Sequence, residues 1–111
     1  MNALMSVHTV TINSADPWAL ATFWSRLLGG TPKDSGNDFV RLEPGGGRVP
    51  LLFQKTDQPS RDPGWIHMDC TAEDREATIS VVTRLGGRRS DSMGEWVVLT
   101  DPEGNLFCIG S

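Results

Sequence analysis

The chain has 111 residues, 38% of them hydrophobic, and a formal net charge of −4, which leaves room for one core, or for two small modules that must pack to bury enough apolar surface. Its Arg and Lys are scattered, which excludes the concentrated basic face that nucleic acid or an anionic membrane requires; Arg88-Arg89, the densest basic spot, is expected to be a solvated pair after a helix. No apolar run approaches the roughly 18 to 20 residues of a membrane span, and Met5 to Ile12, broken by Ser, His and Thr with no basic residue before it, does not resemble a signal peptide, so a cytoplasmic location is expected.

The first element is a half-buried strand within Val7 to Asn13. Val10 and Ile12 form its apolar side, and Thr9, Thr11 and Asn13 share the other, the period of two that a strand requires. His8 falls on the Val10 side, so it is expected to pack near a strand end. Asp16-Pro17 then starts a helix over 17–28, with Asp as N-cap and Pro at the first helical position, where a missing N–H is harmless. Leu20, Phe23, Trp24, Leu27 and Leu28 give it one apolar face. Trp18 and Trp24, if their rings are core, should contribute to stability. Gly29-Gly30 ends the helix, because Gly tolerates the left-handed position after a C-terminus.

Extended runs follow: a marginal one near Thr31 to Lys33, then Asp38 to Leu42 and Val49 to Gln54. Gly45-Gly46-Gly47 lacks a following Gly-Lys-Ser/Thr and a strand feeding a helix, so it is read as a hairpin turn and not a phosphate loop. Lys55 to Gly64, with Asp57, Pro59, Ser60 and Pro63, is a turn-rich linker. Beyond it the same grammar returns. A strand has His67, Asp69 and Thr71 on one side and Met68, Cys70 and Ala72 on the other; Asp74 caps a helix over 74–85 with a stripe of Ala77, Thr78, Val81, Val82 and Leu85; Gly86-Gly87 closes it. Arg88 to Ser90 is a marginal strand, followed by Glu95 to Thr100 and Leu106 to Ile109.

The recurrence is residue by residue. Asp16 matches Asp74, Ala19 matches Ala77, Phe23 matches Val81, and Leu28-Gly29-Gly30 matches Leu85-Gly86-Gly87; Phe39 to Leu42 matches Trp96 to Leu99, and Pro44-Gly45-Gly46 matches Pro102-Glu103-Gly104. Two copies are too few for a solenoid, which stacks about three or more units. They predict an α+β protein of two βαβββ modules, about 5–56 and about 63–110 with a linker at about 57–62, whose curved sheets pair around a cleft with the helices on the outer faces. Whether the modules close within one chain or swap in a homodimer is left open by the linker. Cys70 and Cys108 lie in strand-like runs and are expected to be free thiols.

Asp16-Pro17 through Phe23-Trp24 and Leu28-Gly29, together with the turn Asp101-Pro102-Glu103-Gly104-Asn105, resemble the vicinal oxygen chelate superfamily: the glyoxalases, bleomycin resistance proteins and extradiol dioxygenases. The Phe-Trp pair and the His-Met-Asp strand resemble its glyoxalase-like subgroup. In metal-dependent relatives a divalent ion is held by first-strand and last-strand residues of each module. Carried over, those positions fall on Thr9 and His67, on Leu51-Leu52-Phe53 with Gln54 nearby, and on Cys108. The two carboxylates are absent. One His and one neutral amide do not make a tight site for a hard cation, and His67 with Cys108 begins a Zn²⁺ site without completing it, so no metal or other cofactor is expected. His8 is out of register for ligation, which would need a slip or a bulge.

Trp65 shares a strand face with His67 and Asp69. A cleft holding Thr9, Thr11, Gln54, Trp65, His67, Asp69 and Cys108 has the mixture of aromatic surface and few directional polar groups found in small-molecule pockets. The resemblance and this inventory imply a protein that binds a small, partly aromatic ligand. A lyase or isomerase of the glyoxalase type with His67 as catalytic base or metal ligand is the first alternative, and a dimeric interaction module without ligand is the second.

Overall fold

The structure, a computed structural model, describes residues 8–57 and 68–110. The chain divides into two compact units, Met1–Pro59 and Ser60–Ser111.

In the first unit the order is β1 (Val10–Ser14), α1 (Pro17–Leu28), β2 (Lys33–Gly36), β3 (Phe39–Leu42) and β4 (Leu51–Lys55). Its four-stranded sheet runs β1-β4-β3-β2, with β1 parallel to β4 and the other pairs antiparallel. Parallel neighbours need a crossover between them, and α1 lies within this one. The local chemistry fixes where it starts. Ser14, fully buried at the end of β1, accepts a hydrogen bond through Oγ from the Asp16 amide at 3.1 Å, and Asp16 Oδ1 accepts from the Ala19 amide at 3.2 Å. At the other end Gly29 has φ 90°, and its N–H donates to the Ser25 carbonyl at 2.8 Å.

Leu20, Ala21, Phe23 and Trp24 of α1 are buried, as are Val40, Leu42, Leu51 and Phe53 of the sheet, and α1 contacts β1, β3 and β4. Phe23 and Trp24 meet edge to face with ring centroids 5.3 Å apart. Trp18 is 50% exposed, so its ring is no part of this core. Gly30 (φ 83°) permits the closest approach in the unit: a Cβ there would stand 2.4 Å from the Glu43 carbonyl oxygen.

The second unit repeats the plan with β5 (Met68–Cys70), α2 (Arg75–Arg84), β6 (Arg88–Met93), β7 (Trp96–Thr100) and β8 (Leu106–Ile109), in the sheet order β5-β8-β7-β6. Asp74 caps α2 through the Ala77 amide at 3.0 Å. The buried stripe differs from the expected one: Ile79 and Val82 are buried, Thr78, Val81 and Leu85 are half-buried, and Ala77 is exposed. Ala77 sits one residue before the core-facing row, in the position that Ala19, also exposed, holds on α1. Val97, Leu99, Phe107 and Ile109 complete the core.

The turn after β7 is built around one carboxylate. Asp101 is 3% exposed; its Oδ1 accepts from the Glu103 and Asn105 amides at 3.0 and 2.9 Å, and its Oδ2 accepts from Asn105 Nδ2 at 2.9 Å. The strands that sequence made marginal are full members of their sheets. β2 spans Lys33–Gly36 and β6 spans Arg88–Met93, each with a register shift against its neighbour, between Asp34 and Gly36 and between Arg89 and Asp91. Asn37 and Asp38, at φ 52° and 65°, supply the two left-handed residues of a tight β2–β3 turn. The fold is therefore α+β, two four-stranded mixed sheets with one helix each, as two βαβββ modules require.

Candidate functional site

Each sheet has one face against its helix and one face without it, and strand register says which residues stand on the second. In the first unit Thr11 is level with Leu52, Leu52 with Arg41, and Arg41 with Lys33. The adjacent row on the same face runs Asn13, Gln54, Phe39, Gly36. Leu52, Gln54, Phe39 and Arg41 are half-buried and Thr11 and Asn13 are exposed. Thr9 precedes β1 on the same parity, is half-buried, and its hydroxyl lies 2.6 Å from His8 Nδ1. Thr9, Thr11 and Gln54 therefore share one face. His8 is exposed.

On the helix-free face of the second unit Asp69 is level with Cys108, Cys108 with Val98, and Val98 with Asp91. Asp69 is exposed, whereas Cys108 and Val98 are 9% and 8% exposed. Two residues before Val98, the Trp96 indole, 40% exposed, lies over the backbone of Gly110: a Cβ there would be 3.1 Å from the ring. Cys70 is level with Ile109, on the helix-facing side, so the two free thiols point to opposite faces. Both have pKa values raised above 9.0, first by burial and then by the Asp69 charge.

First and last strands pair in this unit, and the residue level with Cys108 is Asp69. Trp65 and His67, which the sequence placed in the site, lie outside the described residues. Among the described residues no group of three or more His, Cys, Asp or Glu side chains is arranged to hold a metal ion. At the positions carried over from metal-dependent relatives, Thr9, Leu52, Phe53 and Cys108 supply no carboxylate, so those described residues do not fit an oxygen-rich cation site.

Sequence reading assigned no role to Phe39, Arg41, Lys33 or Trp96. A signal for two of them was present: Phe39 and Trp96 occupy matching positions in the duplicated halves, and each opens the third strand of its module on the helix-free face. Lys33, Arg41, Thr31 and Glu43 line a recess of about 270 Å³. Arg41 Nε donates to Glu43 Oε1 at 2.7 Å. That hydrogen bond and the charge of Arg41 hold the Glu43 pKa below 4.5, with smaller help from Lys33 and His8.

A larger open cavity, about 590 Å³, lies where β1 leads into α1 beside the β2–β3 turn, with Trp18, Asp16, Asp34, Lys55 and, from the edge of the helix-free face, Gly36 and Phe39 in its wall. Three of its charged groups already serve local structure. Asp16 caps α1, Asp34 Oδ1 accepts from the Gly36 amide at 2.8 Å, and the Lys55 ammonium donates to the Ala15 carbonyl. The helix-free faces, which set Leu52 and Phe39 beside polar side chains, are the better candidate.

Comparison with known proteins agrees with this geometry. Residues 9–110 match the model of the glyoxalase-like domain family. No curated protein matches the chain. Among solved structures, a glyoxalase/bleomycin resistance protein/dioxygenase family enzyme from Burkholderia phytofirmans PsJN superposes with a TM-score of 0.72 at 22% identity, covering 95% of this chain and 97% of that one. A possible glyoxalase from Bacillus cereus gives 0.71 at 18%, covering 96% and 99%. The trypanothione-dependent glyoxalase I of Leishmania major gives 0.71 at 17%, covering 96% and 86%. At these identities the likeness carries the fold, while the family match spans nearly the whole chain. The chain belongs to the glyoxalase-like domain family, within the vicinal oxygen chelate superfamily.

Proposed function

We propose that this protein binds a small, partly aromatic organic molecule on the helix-free faces of its sheets, without a resident metal, in the cytoplasm. One observation carries the reading. A sheet covered by a helix on one side normally turns polar side chains to water on the other, yet here Leu52 and Phe39 stand half-buried on that side among Thr11, Asn13, Gln54 and Arg41. Apolar surface with a few directional polar groups is what a small-molecule site needs, burial for affinity and hydrogen bonds for orientation. Asp69 and Trp96 add the same two chemistries in the second unit. Trp65 and His67 join the site on the sequence grounds given above.

A panel of small aromatic molecules, followed by heat release and by amide chemical shifts of the labelled full chain, tests this. A ligand should move the resonances of Thr11, Leu52, Gln54 and Asp69, and Trp65→Ala should weaken it about tenfold by removing one stacking wall. Unchanged affinity in Trp65→Ala, His67→Ala and Phe39→Ala alike would place the site elsewhere and end this reading. Turnover of the bound molecule, lost in His67→Ala, would replace binding by the lyase or isomerase alternative.

A further inference from the structure

On the reading that the helix-free face of the first unit takes a small aromatic molecule, we infer that this ligand carries an anionic group, a carboxylate or phosphate, held by Lys33 and Arg41 while its ring lies on Phe39. The register sets Lys33 of β2 directly opposite Arg41 of β3. Like charges in that relation destabilise a sheet. Glu43 relieves the repulsion only in part: it engages Arg41 through Nε, and neither the terminal guanidinium nitrogens nor the Lys33 ammonium has a hydrogen bond or ion pair with a described residue. Two cations and one carboxylate leave a net positive recess. Its volume of about 270 Å³, with Thr31 in its wall, suits one small anion, and a guanidinium presents its paired N–H groups well to the oxygens of such a group.

An edge-strand lysine also guards against unwanted strand pairing. That role needs Lys33 alone; it does not account for Arg41 on an interior strand or for the recess between them. The neighbouring row supplies the rest of the ligand's shape. Phe39 stands on the same strand face as Arg41, roughly 6 to 7 Å away by strand rise, and its cross-strand partner is Gly36, around which nothing lies within 4 Å of where a Cβ would be. Gly36 and Phe39 also line the open cavity of about 590 Å³, so the ring has free space at its side, where an aromatic guest can lie with its charged end toward Arg41. A planar ring joined through one or two atoms to a carboxylate or phosphate has this spacing.

The test titrates the full chain with phenylacetate, phenyl phosphate and the neutral phenylacetamide, reading amide shifts and affinity. The anions, or one of them, should shift Lys33, Phe39 and Arg41 and bind about tenfold more tightly than the amide, a gain typical of a charge-assisted contact. Lys33→Gln and Arg41→Gln should each abolish most of that preference, and Phe39→Ala should weaken acid and amide equally. Lys33→Gln lies on an exposed edge, so it keeps the test valid if Arg41→Gln proves unstable. If the amide binds as tightly as the acids on this face, or both Gln variants keep the preference, the anionic group is refuted while the small-molecule reading stands. If none of the probes shifts this face, the inference fails; a different molecule shifting it without touching Lys33 or Arg41 would again leave only the broader reading.

Discussion

Removing the carboxylate of Asp101 should be among the most damaging single changes outside the core. This side chain is 3% exposed and, among other interactions, accepts hydrogen bonds from the amides of Glu103 and Asn105 and from Asn105 Nδ2. Bonds to a buried charged acceptor contribute roughly 1.5 to 3 kcal/mol each, but the two amides belong to half-buried turn residues that water can partly reach, so Asp101→Ala should cost about 2 to 4 kcal/mol in total. At about 4 to 8 °C per kcal/mol for a domain near this size, Tm should fall by roughly 8 to 30 °C. Asp101→Asn separates the contributions. Its amide oxygen can keep both backbone donors, while its NH₂ would meet the Asn105 NH₂ donor to donor, a loss of about 1 to 2 kcal/mol. Urea titration of both variants is the assay. An Asp101→Ala change within about 0.5 kcal/mol of wild type, the scatter of an ordinary surface substitution, would mean that the Pro-Glu-Gly-Asn turn holds itself and that the carboxylate is incidental.

Trp24→Ala should cost about 3 to 5 kcal/mol by opening a large cavity, whereas Trp18→Ala, on an exposed ring, should stay within about 0.5 kcal/mol; thermal melts of the pair check both. Gly87→Ala, whose Cβ would stand 2.5 Å from Val82 Cγ1 and 2.8 Å from the Thr100 carbonyl oxygen, should cost about 1 to 3 kcal/mol in a urea titration because a backbone oxygen cannot swing aside. Raised thiol pKa values in the folded state make Cys70 and Cys108 slow toward iodoacetamide near pH 8 relative to the unfolded chain. The same shifts leave stability unaffected by these groups below about pH 9 and reduce it as pH rises further, because the unfolded thiols ionise first; denaturation midpoints between pH 8 and 10 would show it, and a flat profile would contradict it.

Much of the fold was legible because several signals agreed at the same positions. The Asp16-Pro17 start, the apolar spacing to Leu28 and the Gly29 stop marked the bounds that α1 adopts. The second helix was harder. Its mean hydropathy is low, and alignment to the first copy drew Ala77 into the stripe and passed over Ile79, since an alanine is compatible with either face. Strands β2 and β6 were under-read because Lys-Asp-Ser-Gly and Arg-Arg-Ser-Asp-Ser-Met show no apolar alternation; edge strands are held by the neighbour's hydrogen bonds more than by their own pattern. In β1, period two put Thr9, Thr11 and Asn13 on the side opposite Val10 and Ile12. What it could not supply was register between strands, and only register brings Lys33 to Arg41 and Cys108 to Asp69.

The Trp96 ring, lying against the backbone of Gly110 with 40% of the residue exposed, makes the molecule its own optical gauge. One side of the indole is fixed by a residue that has no side chain to jostle it, and the other is wet. Emission from such a ring shifts to shorter wavelength when water leaves it, so a protein retaining Trp96 as its single indole, with Trp18, Trp24 and Trp65 replaced by Phe, would report by colour alone when anything settles on that face.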